Sequence, residues 1–523
     1  MTGAAFYDTE ICLLPSNPPL TSSLVERHIF MHHRLPSFIP FALILGAIAT
    51  LRAADFQLPA LFADHMVLQR DKPVALWGWA EAGEKITVSF AGQSKSATVS
   101  ADGKWSLKLD AIGASADPRV LVVTGKEGRK VEVKDVLVGE VWLASGQSNM
   151  GWNLAKTTGG AEAAAAAADP LLRLAKIPQR IATDPLHDVA NAAWRPSTPE
   201  TAAAYSGVAY HFAREIRRTQ GVPVGIITAA FPASTCQAWI PVDTLKSDPL
   251  LSDYIVKWDQ RIAEFDSAKA MARQNAETKP DKPAADDPRR MPMRPSVLFN
   301  GMIRPLVPFT LRGVIWYQAE GNNGDPNFER CFPAMIQAWR EAWNQPRLPF
   351  LFVQLPKFNG FVPETREIQA SCARSVPDTA MVVTIDLGEA ENIHPADKQA
   401  VGSRLALKAR TLVYGEKIEH SGPVFKSMQR EGENLVLHFD HAEGMKAGDG
   451  DLRGFEVAGA DGSYSSALAA INGSSIQLRS AEVKAPIKAR YAWSRVPDAN
   501  LINSAGLPAA PFRFSLSETP KTQ

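Results

Sequence analysis

A serine set in a glycine-containing turn between a strand and a helix has the chemistry of a nucleophile. The chain carries one at Gly146-Gln147-Ser148-Asn149-Met150, directly after an apolar run ending at Ala144. Such a turn lifts the hydroxyl to the sheet edge, and the helix start that follows offers backbone N–H groups to an oxyanion. The pattern is not Gly-x-Ser-x-Gly, so the lipase-type elbow is absent, and taken alone Ser148 also reads as a helix cap. A base stands far downstream in Asn392-Ile393-His394-Pro395. A histidine before proline in a strand-to-helix loop is displayed rather than buried. With an ordinary pKa of about 6.5 it can accept a serine proton. Only a folded sheet brings two such distant groups together, and the chemistry they would then perform is acyl transfer.

Two further blocks also end strand candidates. Trp316-Tyr317-Gln318-Ala319-Glu320-Gly321-Asn322 supplies amides for an oxyanion or for substrate hydroxyls, or simply a turn whose amides satisfy one another. Phe231-Pro232-Ala233-Ser234-Thr235-Cys236-Gln237-Ala238-Trp239 combines small residues, which let backbone approach a ligand, with Trp239, which reads equally as a pocket wall or as core.

The elements that must position these blocks run from about residue 135 to 415. Strand candidates are Val136–Ala144, Val224–Ala229, Gly313–Tyr317, Phe350–Gln354 and Met381–Asp386. The spacing of Val208, Phe212 and Ile216 predicts a helix over 205–219, with Gly221 just past its end, and a second is expected over 395–414. Strands alternating with helices imply an α/β unit, a parallel sheet covered on both faces, with its site at the carboxyl ends of the strands. Before it, residues 55–134 show short alternating strands (Lys85–Phe90, Ser96–Val99, Val120–Val123) and a hairpin signal at Asp102-Gly103, a small β-sandwich. After it, residues 416–523 return to short strands and read as a second β domain. Residues 255–294 read as a helical insertion with a charged, proline-rich tip, either solvated or a partner-binding arm. Arg366, Glu367 and Gln369 read as sugar contacts or as a surface helix.

The first 54 residues read as export machinery. A run of about 13 apolar residues from Phe38 to Thr50 follows His32, His33 and Arg34 and precedes small residues, the layout of a secretory signal; it is too short for a comfortable membrane span. Met31 is the expected initiator, with residues 1–30 an overrun, and the alternative is an N-terminal anchor. The exported chain keeps Cys236, Cys331 and Cys372, which permits at most one bridge. With 56 Lys plus Arg against 55 Asp plus Glu, the net charge of +1 gives no pull toward nucleic acid. No zinc-ligand spacing is present, and neither metal nor organic cofactor is expected.

Gly-Gln-Ser-Asn-Met, Trp-Tyr-Gln-x-Glu-x-Asn and Asn-Ile-His-Pro-x-x-Lys, in this order, resemble the sialate O-acetylesterases, an SGNH branch of the serine hydrolases. The resemblance spans nearly the whole mature chain, including Phe299–Ile303, Tyr491-Ala492-Trp493 and Gly506–Ala509. It implies an SGNH, flavodoxin-like sheet flanked by β domains and a hydrolase of acetyl esters on sugars. Ser148 would be nucleophile and His394 base. The Ser148 N–H, an Ala233 N–H and the Asn322 side chain would hold the oxyanion. Gln147, Asn149, Gln318, Glu320 and Trp239 would line the substrate site. The substrate is an O-acetylated sialic acid; acetylated xylan or another glycan is the alternative, and a decayed carbohydrate-binding protein a second one. Three departures stand out. The family's Trp-Gly-Gly-Thr is replaced by Phe231-Pro232-Ala233-Ser234, and Pro232 has no N–H to donate. Ala319 and Gly321 replace a Gly and a Ser. The acid that orients His394 is not obvious: Glu391 is the expectation, with Asp386 or a backbone carbonyl as alternatives.

Overall fold

In a computed structural model, which describes residues 56–274 and 287–516, a seven-stranded path forms the centre of the molecule. Its order is Thr379–Val382, Phe350–Val353, Gly313–Tyr317, Lys130–Gly146, Val224–Ala230, Asp169–Lys176, Trp194–Ser197. All neighbours are parallel except the last pair, an antiparallel edge. The strands are apolar almost throughout, as a sheet buried on both faces requires. Alternate residues then feed two cores. Ile315 and Tyr317 pack with the helices Gly207–Gln220 and Lys398–Leu412, whereas Val314 and Trp316 pack with Phe328–Ala342.

Helix ends follow local chemistry. Ser206 caps the first of these helices by accepting from the Ala209 N–H (3.0 Å), and Gly221 closes it in the left-handed conformation. Asp397 caps Lys398–Leu412 through the Ala400 N–H (2.9 Å). That helix therefore starts three residues later than the sequence pattern suggests, and the chain from Asn392 to Ala396 stays a loop that displays His394.

The expected boundary at 134/135 falls inside one strand. Lys130–Gly146 pairs antiparallel with Ser115–Thr124 in its first half and parallel with Val224–Ala230 and Gly313–Tyr317 in its second. It carries the N-terminal β unit and the central sheet on a single continuous backbone. Residues 424–515 form two four-stranded antiparallel sheets around a core of Leu437, Val457, Ile476 and Tyr491. The insertion begins with a long helix, Pro249–Gln274; its proline-rich tip and the expected export segment lie outside the described residues. Arg366 is neither a surface nor a sugar-facing side chain. It is fully buried and donates to the carbonyls of Leu355, Pro356, Ser494 and Arg495, joining the sheet to the C-terminal unit. Cys236, Cys331 and Cys372 are buried free thiols. Among the described residues, no helix is long and apolar enough to cross a membrane.

Candidate active site

The central strand ends at Gly146 with φ 134°, and a side chain there would lie 2.1 Å from the Tyr317 carbonyl oxygen. Only glycine permits this approach, which the Gln147 N–H completes by donating to the same carbonyl (3.0 Å). The chain then turns into the short helix Ser148–Gly151. Across the sheet, Gly321 lies against the Ser234 carbonyl, where a Cβ would come within 2.4 Å. Residues without side chains thus draw the serine turn onto the Trp316–Asn322 block, and that block onto the Phe231–Trp239 block.

These approaches bring Ser148 Oγ and His394 Nε2 to 2.9 Å. The imidazole stacks on Trp152, ring centroids 4.5 Å apart and planes 23° from parallel. The His394 backbone N–H donates to the Asn392 side-chain oxygen (2.9 Å), and the preceding Ile393 carbonyl accepts from Asn149 Nδ2 (3.0 Å). Burial, and then the charge of Lys398, lower the His394 pKa below its ordinary value. The ring is therefore neutral, and able to accept a proton, at neutral pH.

Beneath this pair lies a buried polar network. Asn149, fully buried, donates to Glu320 Oε1 (2.7 Å) and accepts from Lys398 Nζ (2.5 Å). Gln147 donates to Glu320 Oε2 (3.1 Å) and to the Ser234 carbonyl (3.2 Å). Burial raises the Glu320 pKa and lowers that of Lys398 to about 7. Lys398 also sits over the Tyr317 ring, 5.3 Å from its centroid. One asparagine thus links the serine turn, the histidine loop and the Trp316–Asn322 block.

Several expected roles meet a different geometry. Glu391 is exposed and its carboxylate holds the Asn359 side chain, and Asp386 forms a bidentate pair with Arg404. Among the described residues, no carboxylate and no carbonyl accepts from the His394 ring; the stack on Trp152 and the anchored loop orient it instead. The Asn322 amide, expected to donate to an oxyanion, is fully committed. Its oxygen accepts from the Cys236 N–H (2.7 Å) and Gln318 (3.0 Å), and its nitrogen donates to Gln237 (3.0 Å) and Asp325 (3.2 Å). Gln318, also fully buried, ties the Ser234 carbonyl to Asn322. Trp239 is core: it has no exposed surface, donates to Ser234 Oγ (3.0 Å) and packs edge-on against Trp316. Gln147, Asn149 and Gln318 therefore support the site from below rather than line it. The N–H groups of Ser148 and Ala233 have no protein acceptor among the described residues. Ala233 is exposed and adopts φ 53°, a left-handed conformation that favours glycine, at a position where the related motif has glycine.

Trp152 and Lys398 are the site residues that sequence reasoning passed over. Lys398 closes the Asn-Ile-His-Pro-x-x-Lys pattern, and that spacing was its signal. Trp152, four residues after Ser148, carries none, because its role depends on a loop from the far end of the sheet.

The family model described as carbohydrate esterase, sialic acid-specific acetylesterase, matches residues 294–411. The mouse sialate O-acetylesterase is 28% identical over 92% of this chain and 98% of its own length. The human one is 28% identical over 90% and 96%. The crystal structure of a carbohydrate acetylesterase from Xanthomonas citri is 38% identical, covers 88% of this chain and 99% of its own, and superposes with a TM-score of 0.76. The family model and these full-length similarities lead to one assignment: the chain is an esterase that belongs to the sialate O-acetylesterase family of carbohydrate esterases.

Proposed function

We propose that the protein removes O-acetyl groups from sialic acids through an acetyl-Ser148 intermediate, on an SGNH-type sheet. The observation that carries this reading is the 2.9 Å contact between Ser148 Oγ and His394 Nε2 at the strand ends. His394 takes the serine proton as Oγ bonds to the acetyl carbonyl carbon. The oxyanion that forms is met by the free N–H groups of Ser148 and Ala233; losing one such donor costs about 2.7–4 kcal/mol in the barrier. Collapse breaks the bond to the sugar oxygen, which leaves with the proton from His394. Water, deprotonated by the same ring, then attacks the acetyl-serine and frees acetate. Asn322 acts here as a positioning residue, because both of its amide atoms are already bonded. The reading includes export by the N-terminal segment.

A second reading, deacetylation of another acetylated glycan by the same residues, is supported by the 38% identity to the Xanthomonas citri carbohydrate acetylesterase, above the 28% to the sialate enzymes. A substrate panel scored by released acetate separates the two. Acetate from 9-O-acetylated sialic acid is expected; release from acetylated xylan but not from sialic acid selects the second reading. Beside it, Ser148→Ala and His394→Ala are each expected to lower kcat at least about 1000-fold with an unchanged circular dichroism spectrum. Wild-type-like turnover in either variant removes the mechanism.

A further inference from the structure

The N-terminal unit contains a two-stranded antiparallel ribbon, Val74–Trp79 against Lys104–Leu109. Its register sets Trp77 opposite Ser106 and Trp79 opposite Lys104, with Gly78 opposite Trp105 between them. Directly opposed residues share a face, and so do alternate residues along a strand. Trp105, 3% exposed, therefore turns with Gly78 toward the core, and Trp77, Trp79, Lys104 and Ser106 turn outward together. Phe62 meets Trp77 edge-on at 4.7 Å and holds it in place.

The outward-facing residues, with Gly78 and Trp105, line a groove of about 650 Å³. Its lining also includes His187, Arg304 and Pro308. Arg304 and Pro308 precede the strand Gly313–Tyr317, whereas Ser148 follows the carboxyl end of its neighbour Lys130–Gly146. The lining of the groove includes none of the residues of the esterase centre.

The groove's polar groups are available. Among the described residues, the indole N–H groups of Trp77 and Trp79 have no acceptor, and the exposed Arg304 and His187 side chains have neither a hydrogen bond nor an ion pair. Lys104 is neutralised by Asp102 at 2.8 Å. That leaves Arg304 as the one unopposed formal charge among the described lining residues. Flat aromatic faces beside free N–H and hydroxyl groups suit the C–H faces and hydroxyls of pyranose rings, and an unopposed guanidinium suits a carboxylate. A single such cation, in a chain of net charge +1, is too little for a nucleic-acid backbone.

We propose that this groove is a second glycan-binding site, separate from the esterase centre, that takes an oligosaccharide bearing a carboxylate. It holds an acidic glycan while the distant serine acts on the same or a neighbouring chain, which raises the effective concentration of acetylated sugar. The test uses the full chain with Ser148→Ala, titrated calorimetrically with a trimeric oligogalacturonide and, in parallel, with xylotriose. Saturable binding of the acidic trimer is expected, at least about tenfold tighter than xylotriose and weakened about tenfold or more by Trp79→Ala and by Arg304→Gln. In the Ser148 background, both substitutions should leave hydrolysis of a chromogenic acetate ester within about twofold of the parent. Arg304 is exposed, so its variant reports even if Trp79→Ala fails to fold. No saturable binding, equal binding of the neutral trimer, or binding that survives Arg304→Gln overturns the proposal.

Discussion

At the scale of single residues, the proposed mechanism has His394 work without a carboxylate partner. A ring held by stacking and by a pinned loop needs no acid to choose its rotamer, although it forgoes the stabilisation an acid gives to the imidazolium. Glu391→Gln and Asp386→Asn are therefore expected to leave kcat/KM within about twofold, since neither carboxylate touches the ring. A loss beyond about tenfold in Glu391→Gln would restore the triad. The pH profile carries a second expectation. Protonated His394 cannot act as base, so kcat/KM should fall with acid through a pKa below the ordinary 6.5, because burial and Lys398 disfavour the charged ring. Lys398→Met removes the repulsion and should move that acid limb to higher pH. An unmoved limb, or flat activity down to about pH 4, counts against this electrostatic coupling or against a histidine base respectively.

At the scale of elements, the site is made by turns whose backbone does what side chains usually prevent. Ala233 is the exception, a residue with a Cβ in the left-handed region at φ 53°. Such a conformation costs about 1–2 kcal/mol relative to glycine, offset in part by glycine's larger entropy loss on folding. Ala233→Gly should then raise unfolding stability by about 0.5–1 kcal/mol with the Ala233 donor retained, whereas the β-branched Ala233→Val should lower it by more than about 1 kcal/mol. Urea titration of the two variants decides; a stabilising valine would mean the loop does not hold this conformation.

At the scale of the molecule, the three β and α/β parts are fastened by buried charge as well as by apolar surface. Glu140, in the middle of the continuous strand and fully buried, binds Arg70 Nε (2.5 Å) from the N-terminal unit and Arg312 Nε (2.6 Å) ahead of the next strand. Burial by itself raises its pKa, but the two guanidiniums outweigh burial and hold it below the usual value. A carboxylate with a lowered folded pKa adds stability that is present above its unfolded pKa of about 4.3 and is lost as pH falls through the lower folded value. Glu140→Gln, which leaves two arginines facing a neutral amide, should cost about 3–5 kcal/mol at pH 7 and flatten the acid limb of the stability curve. Equal acid sensitivity of the variant and the parent in thermal melts would rule this out.

What the sequence determined by itself is local and periodic. The Gly146–Met150 turn, the histidine before proline, four of the central strands and the Ser206-to-Gly221 helix each depend on a few adjacent residues and were legible from them; the fifth strand, expected over Met381–Asp386, runs instead over Thr379–Val382. The ordered blocks likewise singled out Ser148 and His394, whose side chains meet at 2.9 Å, because glycine, proline and alternation act over short range. What only the tertiary structure decided is which polar groups remain free. Whether Asn322, Gln318 or Trp239 faces a substrate, and whether Glu391 reaches the imidazole, depends on partners brought from tens to hundreds of residues away. A buried amide takes whatever donors and acceptors the packed chain puts beside it, and no spacing along the sequence encodes that.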